Sequence, residues 1–281
     1  MTNDTGPGGG TFALEIENLN IHAHTTGKTL VDGVSLALRR GEILALVGES
    51  GCGKTMTVSA VMGLLPPGVH KASGNIRILG ENTAEWSSEQ YRNIRNERVS
   101  IVMQNPMSAF DPVLTIFSHF SETMVSHGYD GKKSRSTAME ALREMGFGEP
   151  SVILDLYPFQ MSGGMLQRVM LAIALLSHPP VIIADEATTD LDLVSQKRIL
   201  ILLKDYSKKN DCALLLITHD FGVAASLAQK IILMKEGKIV ESGEVKDFFD
   251  NPKSDYARNL LFSHRALYTE RFRRIKEVIE A

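Results

Sequence analysis

Gly41–Pro66 reads GEILALVGESGCGKTMTVSAVMGLLP. The run Ile43–Val47 is continuously apolar, as in a strand buried on both faces, and from Lys54 the apolar residues recur at helical spacing until Pro66 and Pro67 stop them. Between strand and helix lies GESGCGKT, which fits the pattern Gly-x-x-x-x-Gly-Lys-Ser/Thr. The glycines Gly48, Gly51 and Gly53 let backbone N–H groups turn inward, together with those of Glu49, Ser50 and Cys52, around the β-phosphate of a nucleotide. Lys54 then reaches the β- and γ-phosphates, and the Thr55 hydroxyl can ligate Mg²⁺. A Gly-rich connector would explain the turn, but not the lysine and hydroxyl at the helix start.

Outward from this stretch the chain alternates strands and helices. FALEIENLNIHA and KTLVDGVSLAL, before it, alternate like strands of an antiparallel edge, and the Gly-rich opening over residues 1–11 reads as a disordered lead. After it, GNIRILG and RVSIVMQ read as strands, and the span from about Thr115 to Leu156 is helical in pattern. PPVIIADE and CALLLITHD are buried strands, LVSQKRILILLKDYSK is a helix, and KIILMKEGKIVESG is hairpin-like. This order predicts an α/β fold, a parallel sheet with helices on both faces, interrupted by a helical insert. Residues from about Pro252 to Ala281 read as a helical appendage of mixed charge.

The composition is that of a globular protein: 281 residues, 43% hydrophobic and 22% charged. A net charge of −3 gives no basic face for nucleic acid. The only cysteines, Cys52 and Cys212, are too few for a disulfide framework and point to a reducing cytoplasm. No apolar run approaches the roughly 18 to 20 residues that cross a bilayer, and the start lacks the regions of a signal peptide.

Two further motifs accompany the phosphate loop. VIIADE places Asp185 and Glu186 at a strand end, where ligands bind in open α/β sheets; Asp185 could hold Mg²⁺ and Glu186 could polarise an attacking water. YPFQMSGGMLQR, Tyr157–Arg168, runs from Ser162, Gly163 and Gly164 straight into helical spacing.

With MSGGM just upstream of VIIADE, the chain resembles the ATP-binding subunit of an ABC transporter over roughly residues 12–250, with a helical signature subdomain at about 105–178 and a C-terminal extension over 251–281. The resemblance implies a P-loop NTPase of ABC type, with a mixed sheet core and an antiparallel N-terminal β edge. It implies hydrolysis of ATP with Mg²⁺ by two subunits facing head to tail, the signature Ser162–Gly164 of one closing over the γ-phosphate in the other. A side chain at either glycine is expected to keep that phosphate away. By the same resemblance Gln104 matches the Q-loop glutamine, which contacts Mg²⁺ or the water and borders the membrane subunit. His219 matches the switch histidine, and Asp192 the D-loop aspartate that addresses the opposite site.

Met165 stands where the family's signature has Gln, and Ala187 where Pro commonly follows the catalytic Glu. The aromatic ring that stacks on adenine has no match; His22 and His24 lie near its place and read better as histidines of a solvated strand.

QNPMSAFDPVLTI and NPKSDYARNLL resemble the peptide, opine and nickel uptake branch, and MSGGMLQR, IIADE and TTDLD resemble the D-type ATP-binding subunits of nickel importers. This implies import of nickel or a metal chelate, with peptides or opines as the alternative cargo. The implied partners are a sister ATPase forming a heterodimer, two membrane permeases and an extracytoplasmic solute-binding protein, at the cytoplasmic face of the inner membrane. ABC ATPases of repair or translation carry a long coiled coil or a second cassette, neither of which is present here, and intact Glu186 and His219 oppose a purely regulatory module. Cys52, close to a helix N-terminus and Lys54, is expected to offer ATP-protected thiol reactivity, whereas Cys212, at the start of an apolar strand, is expected to be buried.

Overall fold

Strand β3 (Ile43–Gly48) is buried along its whole length, and so is β8 (Ala213–Thr218), which lies parallel to it. Continuous apolar runs form the centre of a sheet covered on both faces, and the apolar parts of β7 (Val181–Asp185), β6 (Val99–Val102) and β9 (Lys230–Lys235) extend it in the order β9-β3-β8-β7-β6, all parallel. β10 (Lys238–Glu244) closes one edge antiparallel to β9, as the hairpin reading expects. The computed structural model describes residues 12–24, 27–129, 134–189 and 191–262. The Gly-rich lead and most of the helical appendage read from the sequence, together with Asp190, lie outside the described residues.

The antiparallel part expected at the N-terminus is a sheet of its own, ordered β2 (Thr29–Arg39), β1 (Phe12–Ala23), β4 (Val69–Ile78) and β5 (Glu81–Asn82). Its inward residues Leu14, Ile16, Ile76 and Ile78 share one core with Leu44, Leu46, Ile183, Leu215 and Ile217 of the parallel sheet and with Val58 and Val61 of helix α1 (Lys54–Val61). Helices lie on both faces, as expected, but one face carries a second sheet beside α1. The other face, through Ile182, Ala184, Leu214 and Leu216, packs on helices α6 (Gly163–Ala174) and α7 (Leu193–Asn210). Helices α3 (Ile116–Ser126), α4 (Ser134–Glu144) and α5 (Pro150–Asp155) precede α6 between β6 and β7, and Phe120, Leu142 and Leu154 are fully buried among them.

Three local readings change. α1 stops at Val61, before the prolines, because Gly63 takes φ +64° and the Arg95 guanidinium donates to Met62 O at 2.6 Å. β4 starts at Val69, ahead of the stretch GNIRILG read as the strand, because Val69 pairs with Ala23 of β1. Helix α2 (Ser88–Glu97) was not anticipated; it is polar, and its sequence signal is the reciprocal cap between Ser87 and Gln90.

Candidate nucleotide site

Strand register gathers the motifs at one edge of the sheet. Val47 of β3 lies opposite Thr218 of β8, and Asp185 of β7 opposite Ile217, so the phosphate loop, Glu186 and His219 all leave the sheet at its carboxyl edge. A cleft of about 290 Å³ opens there, lined on one side by Ser50, Gly51, Gly53, Lys54 and Thr55 and on the others by Glu186, Glu236 and the Lys28–Leu30 stretch.

The loop is built from its glycines. A Cβ on Gly48, at φ +155°, would collide with Met234 O, and one on Gly53, at φ +110°, would stand 2.9 Å from Leu30 O. Gly53 caps α1 without any side-chain hydrogen bond, so the first N–H groups of the helix remain directed at the cleft. Lys54, almost fully buried, donates from Nζ to Gly48 O at 2.8 Å and Glu49 O at 2.9 Å, which holds its charge at the loop's mouth.

Cys52 departs from expectation. Its thiol is only 5% exposed and belongs to the core containing Ile232 and Met234, with Sγ 3.8 Å from Lys54 Nζ. The loop turns the side chain inward, and Cys52 does not line the cleft. Cys212 is buried as expected, and burial pushes its thiol up to about 12.

Glu186 sits in the left-handed region at φ +48°, rare for a non-glycine residue; its N–H donates to Ile217 O at 2.9 Å, which pins the turn without a proline after it. Its Oε2 accepts from Thr189 Oγ1 at 3.2 Å and from His219 Nδ1 at 3.1 Å. Since a carboxylate only accepts, Nδ1 carries the proton in this pair and Nε2 is left free to face another group. Asp185 is half-buried; burial and then the Glu186 charge raise its carboxyl above the usual range, against the lowering pull of Lys54.

The remaining sequence-predicted residues do not line this cleft. Ser162 caps α6 by accepting from Met165 N at 3.3 Å, and Gly163 follows as its first residue, so the helix starts on Ser-Gly-Gly. Asp192 caps α7, accepting from Val194 N and Ser195 N at 3.0 Å each; contacts with Ser195 hold its carboxyl below the usual range. Gly164 abuts Ser195 and Gly163 faces Leu191, so signature and D-loop form one surface apart from the phosphate loop. Gln104 is exposed after β6, beside a groove of about 450 Å³ lined by Met103, Phe110, His119, His127 and Met170. The ring of His24 stacks on His70 with centroids 3.9 Å apart, and neither it nor His22 lines the cleft.

Sequence reasoning missed two residues. Gln167 is fully buried in α6 and donates from Nε2 to Met103 O at 3.1 Å, tying the signature helix to the strand that leads to Gln104. A buried amide inside an apolar helical stripe was its signal. Tyr256, from the chain's last described helix, packs on the core that holds Val47, the residue before the loop's first glycine, with Lys235 Nζ over its ring, and nothing local in the sequence pointed to it.

A phosphate loop on a parallel sheet, with a carboxylate and histidine paired at the next strand ends, defines a P-loop nucleoside triphosphatase. The chain belongs to the ABC transporter family, whose profile matches residues 31–189. It is 44% identical over 258 residues to the nickel import ATP-binding protein NikD of Rhodospirillum rubrum, covering 91% of this chain and 96% of that protein. It is also 41% identical over 254 residues to the dipeptide transport ATP-binding protein DppD of Bacillus subtilis, covering 89% and 76% respectively. Among solved structures, a dimeric post-hydrolysis state of the ATP-binding cassette MJ0796 bound to ADP and Pi superposes with a TM-score of 0.73 at 26% identity, over 83% of this chain and 98% of that one. The fold is also that of cbiO1 from Clostridium perfringens, TM-score 0.76 at 24% identity over 96% and 100% of the chains. The chain is thus an ABC-type ATPase with an ATP-binding fold; among the described residues no helix is long and apolar enough to cross a membrane.

Proposed function

We propose that this chain is the ATPase subunit of an importer for nickel or a metal chelate. Residues 12–250 form the catalytic unit, with the helical subdomain at about 105–178. The observation that carries the catalytic reading is the hydrogen bond between Glu186 and His219 at the mouth of the Lys54 loop. Backbone N–H groups of Gly48–Thr55 and the Lys54 ammonium bind the phosphates, and the Glu186 carboxylate accepts a hydrogen bond from the water that attacks the γ-phosphorus. As the bond from that phosphorus to the β–γ bridging oxygen breaks, ADP leaves with its electron pair and the water's proton passes to Glu186 or the phosphate. His219 holds Glu186 through Nδ1–H and so orients the carboxylate toward the attacking water.

Among the described residues no three-ligand cage of His, Cys, Asp and Glu exists, which suits Mg²⁺, a cation that keeps waters and takes phosphate oxygens. The carboxyl of Asp185, raised by burial and the Glu186 charge, fits a neighbouring cation. Thr55, which lines the cleft, and Asp185 would hold Mg²⁺, which would neutralise phosphate charge, whereas Gln104 stands outside that cleft.

The separation of Ser162–Gly164 and Asp192 from the cleft supports a composite site, in which each signature serves the phosphate loop of a facing subunit, here a sister ATPase. The groove beside Gln104 suits a helix of a membrane permease, and a solute-binding protein would deliver cargo from the other side. On this reading the chain works peripherally at the cytoplasmic face of the inner membrane. Nickel as cargo rests on the likeness to nickel import proteins, and dipeptide is the second reading on the likeness to the dipeptide transport protein. Radioactive nickel uptake by cells lacking this chain tests it: uptake should fall to background and return with the wild-type chain but not with Lys54→Ala. Unchanged nickel uptake with lost dipeptide uptake would transfer the assignment to peptides.

A further inference from the structure

Two hydrogen bonds converge on one oxygen of Glu186. Oε2 accepts from Thr189 Oγ1 at 3.2 Å and from His219 Nδ1 at 3.1 Å. The threonine belongs to the turn after β7 and the histidine follows β8, so two separate elements hold the same carboxylate atom. Among the described residues none donates a hydrogen bond to Oε1. The side chain that carries it lines the nucleotide cleft and is 19% exposed, so its remaining acceptor capacity is within reach of solvent.

The turn does not need the threonine hydroxyl. Thr189 N donates to Glu186 O at 3.1 Å and Glu186 N to Ile217 O at 2.9 Å, so main-chain bonds close the turn and dock it on β8. With Glu186 at φ +48°, the backbone fixes where the side chain leaves the chain, but its own torsions are set by its partners. A carboxylate held by one donor still swings about that bond. A second donor on the same oxygen removes this freedom and leaves the other oxygen to the water.

We propose that Thr189 is a positioning residue for the catalytic carboxylate: its hydroxyl and the His219 ring together fix Oε2, and Oε1 is the oxygen that meets the attacking water. This rests on the reading of Glu186 as the group that polarises the water, and it gives the two oxygens separate work. The same threonine stands in TTDLD, two residues before Leu191, which faces Gly163 of the signature. One side chain thereby ties the carboxylate to the segment that leads to the signature surface. A threonine that only closed the turn would use its N–H and not its hydroxyl.

ATP turnover by the assembled transporter, measured beside equilibrium Mg-ATP binding to the full chain, tests this. Thr189→Val keeps the shape of the side chain and removes the donor. It should lower kcat about five- to twentyfold, the size of a hydrogen bond to a charged, partly exposed group, with ATP affinity within about twofold and the thermal midpoint of the free chain unchanged. Thr189→Ser keeps the hydroxyl and should hold kcat within about twofold of wild type. Added to Glu186→Gln, Thr189→Val should slow single-turnover hydrolysis no further, because no carboxylate is left to orient. Wild-type kcat in Thr189→Val, an equal loss in Thr189→Ser, or single losses that multiply in the double variant would overturn the positioning role. Glu186→Gln is the reference: hydrolysis there at the wild-type rate would bring down the reading of the site itself, whereas its loss beside an unaffected Thr189→Val dismisses only the threonine.

Discussion

A Cβ on Gly164 would stand 2.5 Å from Ser195 Oγ and 2.9 Å from Ser195 Cβ, whereas one on Gly163 would meet nothing closer than Leu191 Cδ2 at 3.9 Å. The two signature glycines are bare for different reasons. Gly164 lets α6 pack on α7 within this chain, and only Gly163 leaves an open backbone. Gly164→Ala should therefore destabilise the isolated chain by about 1–3 kcal/mol, as overpacking does. Gly163→Ala should leave the thermal midpoint unchanged and lose the rate gain that a partner ATPase provides. Calorimetry of the single chains and ATPase assays of the mixed subunits separate the two; equal destabilisation by both would contradict this division.

Cys52 should be a slow thiol. It is 5% exposed and turned toward Met234, so maleimide should label it in the native chain far more slowly than in the unfolded one, with or without Mg-ATP. Rapid native labelling, suppressed by nucleotide, would restore the exposed thiol expected from the sequence and place the side chain on the phosphate side. Mass spectrometry of the labelled peptide reads the outcome directly.

The sequence carries most of this fold because its central strands are unbroken apolar runs. Ile43–Val47, Val181–Ala184 and Ala213–Ile217 are each bounded by chemistry-bearing residues, so strand ends and site residues are legible together. What escaped depends on pairing across long separations. The early start of β4 is set by β1, the second sheet competes with helices for one face, and Tyr256 joins the core of Val47 from over 200 residues away. The inward turn of Cys52 was illegible for another reason: a loop motif fixes the backbone and leaves the side chain's direction to the core beneath it.

His219 should matter for rate more than for binding. With Nδ1–H committed to Glu186 at 3.1 Å, removal of the ring frees the carboxylate to rotate. His219→Ala should lower kcat about 10²-fold or more, with ATP affinity within about threefold. Stopped-flow phosphate release and equilibrium binding provide the two readouts. A loss confined to binding would make the histidine a ligand of the phosphate alone.

Glu241 should give the tail an acid-labile anchor. Burial raises its carboxyl, but the donors Lys253 N and Ser254 N and Oγ outweigh it and leave the value below the ordinary 4.5. A depressed folded value contributes stability that is complete above pH 4.5 and is lost as pH falls through the lower value. Glu241→Gln should lower Tm at pH 7, and its gap to wild type should narrow below pH 4.5. A gap that widens in acid would mean that the sign of the shift is wrong.

The central claim is that Glu186 drives hydrolysis in a site that binds ATP without it. Single-turnover hydrolysis by Glu186→Gln, measured in the assembled transporter beside equilibrium Mg-ATP binding, tests this most directly. The amide keeps the shape of the side chain but cannot take up the water's proton. The account predicts ATP affinity within about threefold of wild type and hydrolysis slowed by about 10²-fold or more. Hydrolysis at the wild-type rate would contradict it.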